Sequence, residues 1–156
     1  MADQNLCLEG VATGFSAGGM LGVPSNINDD ASTYYGLIFA GAGLATYWCI
    51  VEFDPATVHK MEIWYYQADI GTGYLTWQLD LFYDGVWHNS LKTGGTPPDG
   101  TFTSNLEGDW KNVTKIRCQV AIQGNPPNPA PGGGEHRTLE LRAWGVRAAG
   151  GYCCLI

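Results

Sequence analysis

An antiparallel β-sandwich, two packed sheets with long loops at both ends, is predicted by three features of the sequence. Apolar residues recur at every second position through much of the chain, as in strands that bury one face. Turn-forming residues interrupt these runs: the 156 residues include 22 glycines and 8 prolines, with 12% aromatic and only 15% charged residues. An Asp84-Gly85 pair joins two alternating runs, the mark of a tight hairpin. A ribbon with one apolar face needs a second sheet to cover it. With 45% apolar content the chain supports one all-β domain, residues 1–156, with its core over about 5–146 and a tail at 147–156.

The hairpin at 75–91 sets the frame. Trp77, Leu79, Leu81 and Tyr83 alternate with Thr76, Gln78 and Asp80 before the turn. Asp-Gly accepts the positive φ values of a type I′ turn. Tyr83 should therefore face Val86, and Leu81 should face His88, with Phe82 opposite Trp87 on the other side of the sheet.

Taken in order, residues 5–13 predict a short first strand in which Leu6 and Leu8 share a face. Residues 14–33, with Gly18-Gly19, Pro24 and Asn26-Ile27-Asn28-Asp29-Asp30, carry turn chemistry and predict an ordered surface loop. Strands follow at 34–39 and 46–53; the unbroken run from Tyr47 to Val51 predicts a central strand, ended by Asp54-Pro55-Ala56. Residues 58–67 place Met61, Ile63 and Tyr65 inward, and Lys60, Glu62, Trp64 and Tyr66 outward. Residues 92–111 predict a long irregular loop ending near Trp110.

In 112–122, Ile116, Cys118, Val120 and Ile122 point one way, and Lys115, Arg117 and Gln119 the other. The proline-rich 123–136 predicts an exposed loop, partly polyproline II. The final strand, 137–146, places Leu139, Leu141 and Ala143 inward and Glu140 and Arg142 outward. If each strand crosses the sandwich once, the loops at 24–33, 54–57, 84–85 and 123–136 share one end, and those at 40–45, 68–74 and 92–111 the other.

Charge narrows the function. A net charge of −7 with only 8 Lys and Arg provides no basic stripe for a phosphate backbone, so nucleic acid is excluded as a partner. No apolar run approaches the ~20 residues of a spanning helix, and membrane insertion is not expected. The first residues show no secretory signal, so synthesis in the cytoplasm is expected, with display on a virion surface or extracellular release afterwards. Five cysteines cannot all pair, and Cys7, Cys49 and Cys118 lie in apolar patterns that predict buried, reduced thiols. The tail Cys153-Cys154-Leu155-Ile156 lacks a polybasic lead and suits packing against a neighbouring subunit better than prenylation. His59, His88 and His136 have no nucleophile in a recognisable arrangement, so catalysis is not expected.

Several stretches together resemble one family. Pro24-Ser25-Asn26-Ile27-Asn28-Asp29-Asp30-Ala31-Ser32-Thr33-Tyr34-Tyr35 is similar to the first motif of the discoidin domains, the coagulation-factor C-type, galactose-binding-like jelly-roll sandwiches. Asp84-Gly85-Val86-Trp87 resembles the family's Asp-Gly hairpin, and residues 113–120 its arginine-bearing strand. Leu139-Glu140-Leu141-Arg142-Ala143-Trp144-Gly145 resembles its closing strand. Here Asn28-Asp29-Asp30 stands where the family has Asp-Gly-Asp, and Tyr35 where it has Trp.

The resemblance implies a structural calcium site, whose matching positions are Asp30, Ser32 or Thr33, and Glu140; the alternative for Asp29 and Asp30 is plain turn formation. It also implies glycan binding. A sugar site needs an exposed aromatic face flanked by hydrogen-bonding side chains. Tyr74 and Trp110, with Asp69, Asn105 and Asp109 near them, are the candidates, while Trp48, Trp64, Trp77 and Trp144 are expected as core or cross-strand partners. Two classes of function follow: a noncatalytic module that binds a glycan or cell-surface polysaccharide, and a structural virion protein, such as a capsid decoration or tail component, that assembles with other subunits or with itself.

Overall fold

The computed structural model describes residues 2–16, 19–29, 35–39, 45–68, 75–95, 100–122 and 134–147. Nine strands run through them: β1 (Gln4–Asn5), β2 (Val11–Ser16), β3 (Gly19–Gly22), β4 (Tyr35–Phe39), β5 (Ala45–Ala68), β6 (Leu75–Tyr83), β7 (Val86–Gly95), β8 (Gly100–Ile122) and β9 (Gly134–Arg147). Every pairing is antiparallel.

The long strands β5 and β8 pair with each other along most of their length and belong to both layers. Residues 45–52 of β5 and 115–122 of β8 lie in the first sheet, ordered β2-β5-β8-β6-β7. Residues 56–68 and 100–113 lie in the second, ordered β3-β4-β9-β5-β8. Register shifts between Glu52 and Lys60 mark the corner where the ribbon bends from one layer to the other.

Cys49, Val51, Leu79, Leu81, Ile116 and Cys118 from the first sheet meet Met61, Ile63, Leu141 and Ala143 from the second, all fully buried. The hairpin has the expected register, Tyr83 with Val86, Phe82 with Trp87 and Leu81 with His88. Its turn has φ of 52° at Asp84 and 78° at Gly85. Cys7, Cys49 and Cys118 are free and buried, and burial pushes the Cys7 and Cys118 thiols up.

Several expectations are corrected. Residues 6–9 form a 3-10 turn rather than a strand, which buries Leu6 and Cys7 and leaves Leu8 exposed. The segment expected as one loop at 14–33 contributes strand to β2 and β3 and a second 3-10 turn at Pro24–Ile27. Asp54-Pro55-Ala56 bends β5 without ending it. Most of the loop expected at 92–111 is strand: β7 runs to Gly95 and β8 begins at Gly100.

That extra crossing by β8 changes the count of ends. Ile122 stands beside Leu75, away from the Asp84-Gly85 turn, so β9 starts at the end opposite the turn and not at the same end. In β9 the pairing jumps from Trp64 with Glu140 to Tyr65 with Thr138. This bulge at Leu139 shifts the phase, so His136 and Thr138 face inward with Leu141, Leu139 is only half-buried, and Glu140 is covered rather than exposed. His136, expected in a loop, stacks on Tyr65 at 5.4 Å and is hydrogen-bonded through Nδ1 to the Tyr47 hydroxyl, which also bonds Thr138 Oγ1 at 2.8 Å.

Candidate functional site

On the first sheet, the side chains that point away from the core line up in rows across the strands. Phe15, Trp48, Gln119, Gln78 and Thr93 are successive partners from β2 to β7. The next row holds Thr13, Ile50, Arg117 and Asp80, and the one after it Val11, Glu52, Lys115, Phe82 and Trp87.

Asp80 is the hub of this face. It points outward yet has 0% exposure, because polar groups from three strands close over it. Its Oδ1 accepts from Gln78 Nε2 at 2.9 Å and from the Ser90 backbone N–H at 2.7 Å. Its Oδ2 accepts from Arg117 Nε at 2.8 Å and from Gln119 Nε2 at 3.0 Å. A buried carboxylate is tolerated when it is matched in this way. Ser90 reaches it because the β6–β7 pairing is irregular there and Ser90 adopts a φ of 56°. Arg117 lies over the Trp87 ring, 4.0 Å from its centroid, and donates from Nη2 to Asn89 Oδ1 at 2.8 Å. One carboxylate thus fixes two amides and a guanidinium on the surface.

Next to the hub, toward the end away from the hairpin turn, β5, β8, β6 and β7 surround a depression of about 560 Å³. The half-buried Trp48 borders it, its ring stacked with Phe15 at 6.1 Å. Gln78 and Gln119 stand in its row, and Thr46, Thr76 and Thr93 add hydroxyls. Among the described residues no charged side chain lines it. An indole beside fixed amides and hydroxyls can stack on the apolar face of a pyranose and exchange hydrogen bonds with its hydroxyl groups.

A second depression, about 460 Å³, lies on the other sheet between Asp3, His59, Lys60, Glu107 and Trp144. It is charged: His59 Nδ1 is 2.8 Å from Asp3 Oδ1, and its Nε2 is 3.8 Å from Asp109 Oδ1.

Three of the five residues expected to bind sugar are described. Asn105, Asp109 and Trp110 sit on β8 itself, Asn105 opposite Glu62 and Trp110 opposite Val58. Asn105 and Asp109 are exposed, but Trp110 is half-buried against the core, its ring so close over Gly108 that a Cβ there would come within 2.4 Å. Asp69 and Tyr74 lie outside the described residues.

Of the metal positions, Asp30, Ser32 and Thr33 lie outside the described residues, and Glu140 is 2% exposed. The Asn28 side chain donates to Cys7 O at 2.7 Å and Gly10 O at 3.0 Å, tying the second 3-10 turn to the first. Burial dominates the raised pKa of Cys7, and the nearby Glu140 carboxylate adds to it. Both 3-10 turns pack against β9, the strand that carries Glu140.

Sequence alternation alone assigns Gln78, Asp80, Arg117 and Gln119 to outward positions without joining them. The signal that joins them is the pairing of 75–82 with 115–122, which sets Asp80 against Arg117 and Gln78 against Gln119. Of the tryptophans expected in the core or across strands, Trp77 is core, Trp48 pairs with Phe15, and Trp64 carries the Arg142 guanidinium at 4.2 Å.

No protein-family model and no curated protein matches the sequence. Solved structures do match in fold. The chitosan-binding module 1 of a chitosanase/glucanase from Paenibacillus sp. IK-5 superposes with a TM-score of 0.62 over 91% of this chain and 99% of that one, at 18% identity. The family 32 carbohydrate-binding module of C. perfringens NanJ, in complex with galactose, gives 0.58 over 91% and 98%, at 16% identity. TmCBM61, in complex with β-1,4-galactotriose, gives 0.51 over 86% and 88%, at 11% identity. The chain has the galactose-binding-like, discoidin-type β-sandwich fold found in these carbohydrate-binding modules.

Proposed function

We propose that the protein is a noncatalytic glycan-binding module that holds its ligand on the outer face of the first sheet. The observation that carries this reading is the depression, without a charged side chain among its described lining, in which Trp48 lies in one row with Gln78 and Gln119, both fixed by Asp80. The modules of like fold that were solved with galactose or galactotriose support a galactose-containing ligand. Titration calorimetry with galactose and β-1,4-galactotriose, alongside a glycan array, tests it. Trp48→Ala should weaken binding about tenfold or more, the scale of a lost aromatic platform. Trp110→Ala should lower stability and leave affinity unchanged. Binding that survives Trp48→Ala but is lost in Tyr74→Ala would move the site to the loop-bearing end.

A structural calcium ion is part of the same proposal. Asp30, Ser32 or Thr33, and Glu140 offer only oxygen donors, the ligand chemistry calcium takes, and the second 3-10 turn, which leads toward residue 30, packs against β9. Bound there, the ion would link that segment to β9. Calcium should raise the melting temperature of the wild type, chelator should reverse the gain, and Glu140→Gln should abolish it.

The alternative reading is an assembly unit, as of a virus particle, and strand β2 supports its self-association. It lies at the edge of its sheet, with Val11 68% and Phe15 51% exposed. Sedimentation of the purified protein at rising concentration checks it. A monomer at every concentration would count against self-assembly.

A further inference from the structure

We infer that the ligand is a neutral, linear oligosaccharide of about four sugar units, lying diagonally across the first sheet from the Trp48 depression, over the Asp80 hub, to Trp87 beside the hairpin turn. The inference rests on the glycan reading above and adds the size, shape and charge of what binds.

Length comes from the register. Trp48 and Trp87 are three strands apart, from β5 through β8 and β6 to β7, and two rows apart along the strands. Strand spacing and rise put the two indoles about 20 Å apart on the diagonal. A pyranose in an extended chain advances on the order of 5 Å, from ordinary bond lengths. About four rings therefore span the two platforms.

Between the platforms the line crosses Gln119, Gln78, Arg117 and Asn89, all tied into the network around Asp80. Groups held in place before binding lose little freedom when a sugar hydroxyl meets them. Trp87 is held in the same way, by Arg117 on one side and by the edge-on Phe82 ring at 5.4 Å.

Charge follows from the pairing on this face. Asp80 is matched by Arg117 at 2.8 Å and Glu52 by Lys115 at 2.8 Å, while the depression has no charged lining among the described residues. Among the described residues of these rows, no cation is left over to select a uronate or a sialate, and no anion to select an amino sugar.

The test is calorimetry with size series of one to six units: β-1,4-linked galactose, glucose and N-acetylglucosamine, with galacturonate as the charged counterpart. Affinity in at least one neutral series should rise to about four units and then level off. Trp87→Ala should weaken the tetrasaccharide about tenfold and leave the disaccharide unchanged. Asn89→Ala, at an exposed position, repeats the test without removing a ring from the packing. Affinity that does not depend on length, or galacturonate bound more tightly than every neutral series, would overturn this inference while leaving the glycan reading intact. No binding in any series by folded protein would overturn both.

Discussion

His136 is a base sealed between two tyrosines. Its ring meets Tyr47 at 5.6 Å and Tyr65 at 5.4 Å, and burial pushes its pKa down from 6.5 to about 3. The unfolded chain therefore takes up a proton below about pH 6.5 that the folded chain refuses until about pH 3. Stability is full above that window and falls through it as pH drops, by up to about 1.4 kcal/mol per pH unit. Urea midpoints measured from pH 7 to pH 4 should show this slope. His136→Phe, which keeps a ring against Tyr65, should remove this residue's share, and the difference between the two proteins separates it from the carboxylates. Asp80 makes the opposite case, a charge kept because it is matched. Asp80→Ala strands the Arg117 guanidinium, whose side chain is only 17% exposed, and should cost about 3 kcal/mol in urea unfolding. Adding Arg117→Met to that variant should recover part of the loss, since no unpaired charge then remains.

Two glycines show how elements set different limits on substitution. Gly85, at φ +78°, has nothing within 4 Å of the position a Cβ would take, so Gly85→Ala suffers only backbone strain and should cost about 1–2 kcal/mol. Gly145 lies where β9 passes β5, and a Cβ there would sit 2.0 Å from Thr57 O. Gly145→Ala must push two paired strands apart and should cost several times more, read as the shift in melting temperature between the two variants. The hairpin is legible in sequence because its period, its turn residues and its register all lie within residues 75–91. The first half of β8 is not. It forms the edge of its sheet, and its inward positions Phe102, Ser104 and Leu106 are only half-buried, so residues 100–111 carry a weak pattern among many turn formers. The bulge at Leu139 is hidden too, since an even alternation gives no sign of an extra residue. The candidate site is the least legible part. Trp48, Gln78, Asp80, Trp87 and Gln119 come from four strands, and only the pairing of those strands makes them neighbours.

At the scale of the molecule, the two layers share two of their strands. β5 and β8 pass from one sheet into the other, and the corner between Glu52 and Lys60 joins the halves through continuous backbone. Neither sheet can be removed without stripping strands from the other, so the sandwich should unfold as one cooperative unit. The tryptophans report on both layers: Trp48, Trp77 and Trp87 lie in the first, and Trp64, Trp110 and Trp144 in the second. Leu79 and Ile63 are fully buried, one in each sheet. Truncating either to alanine leaves a cavity in the shared core and should cost about 3 kcal/mol. In both variants, tryptophan fluorescence and far-ultraviolet dichroism should trace the same single urea transition, moved to a lower midpoint with its slope unchanged. A Leu79→Ala protein whose two signals separate would show that the first sheet can melt alone. The site it carries would then be able to disassemble while the second sheet stands. With coincident signals, the candidate face is as stable as the whole fold, because the ribbon that forms its floor also runs through the opposite wall.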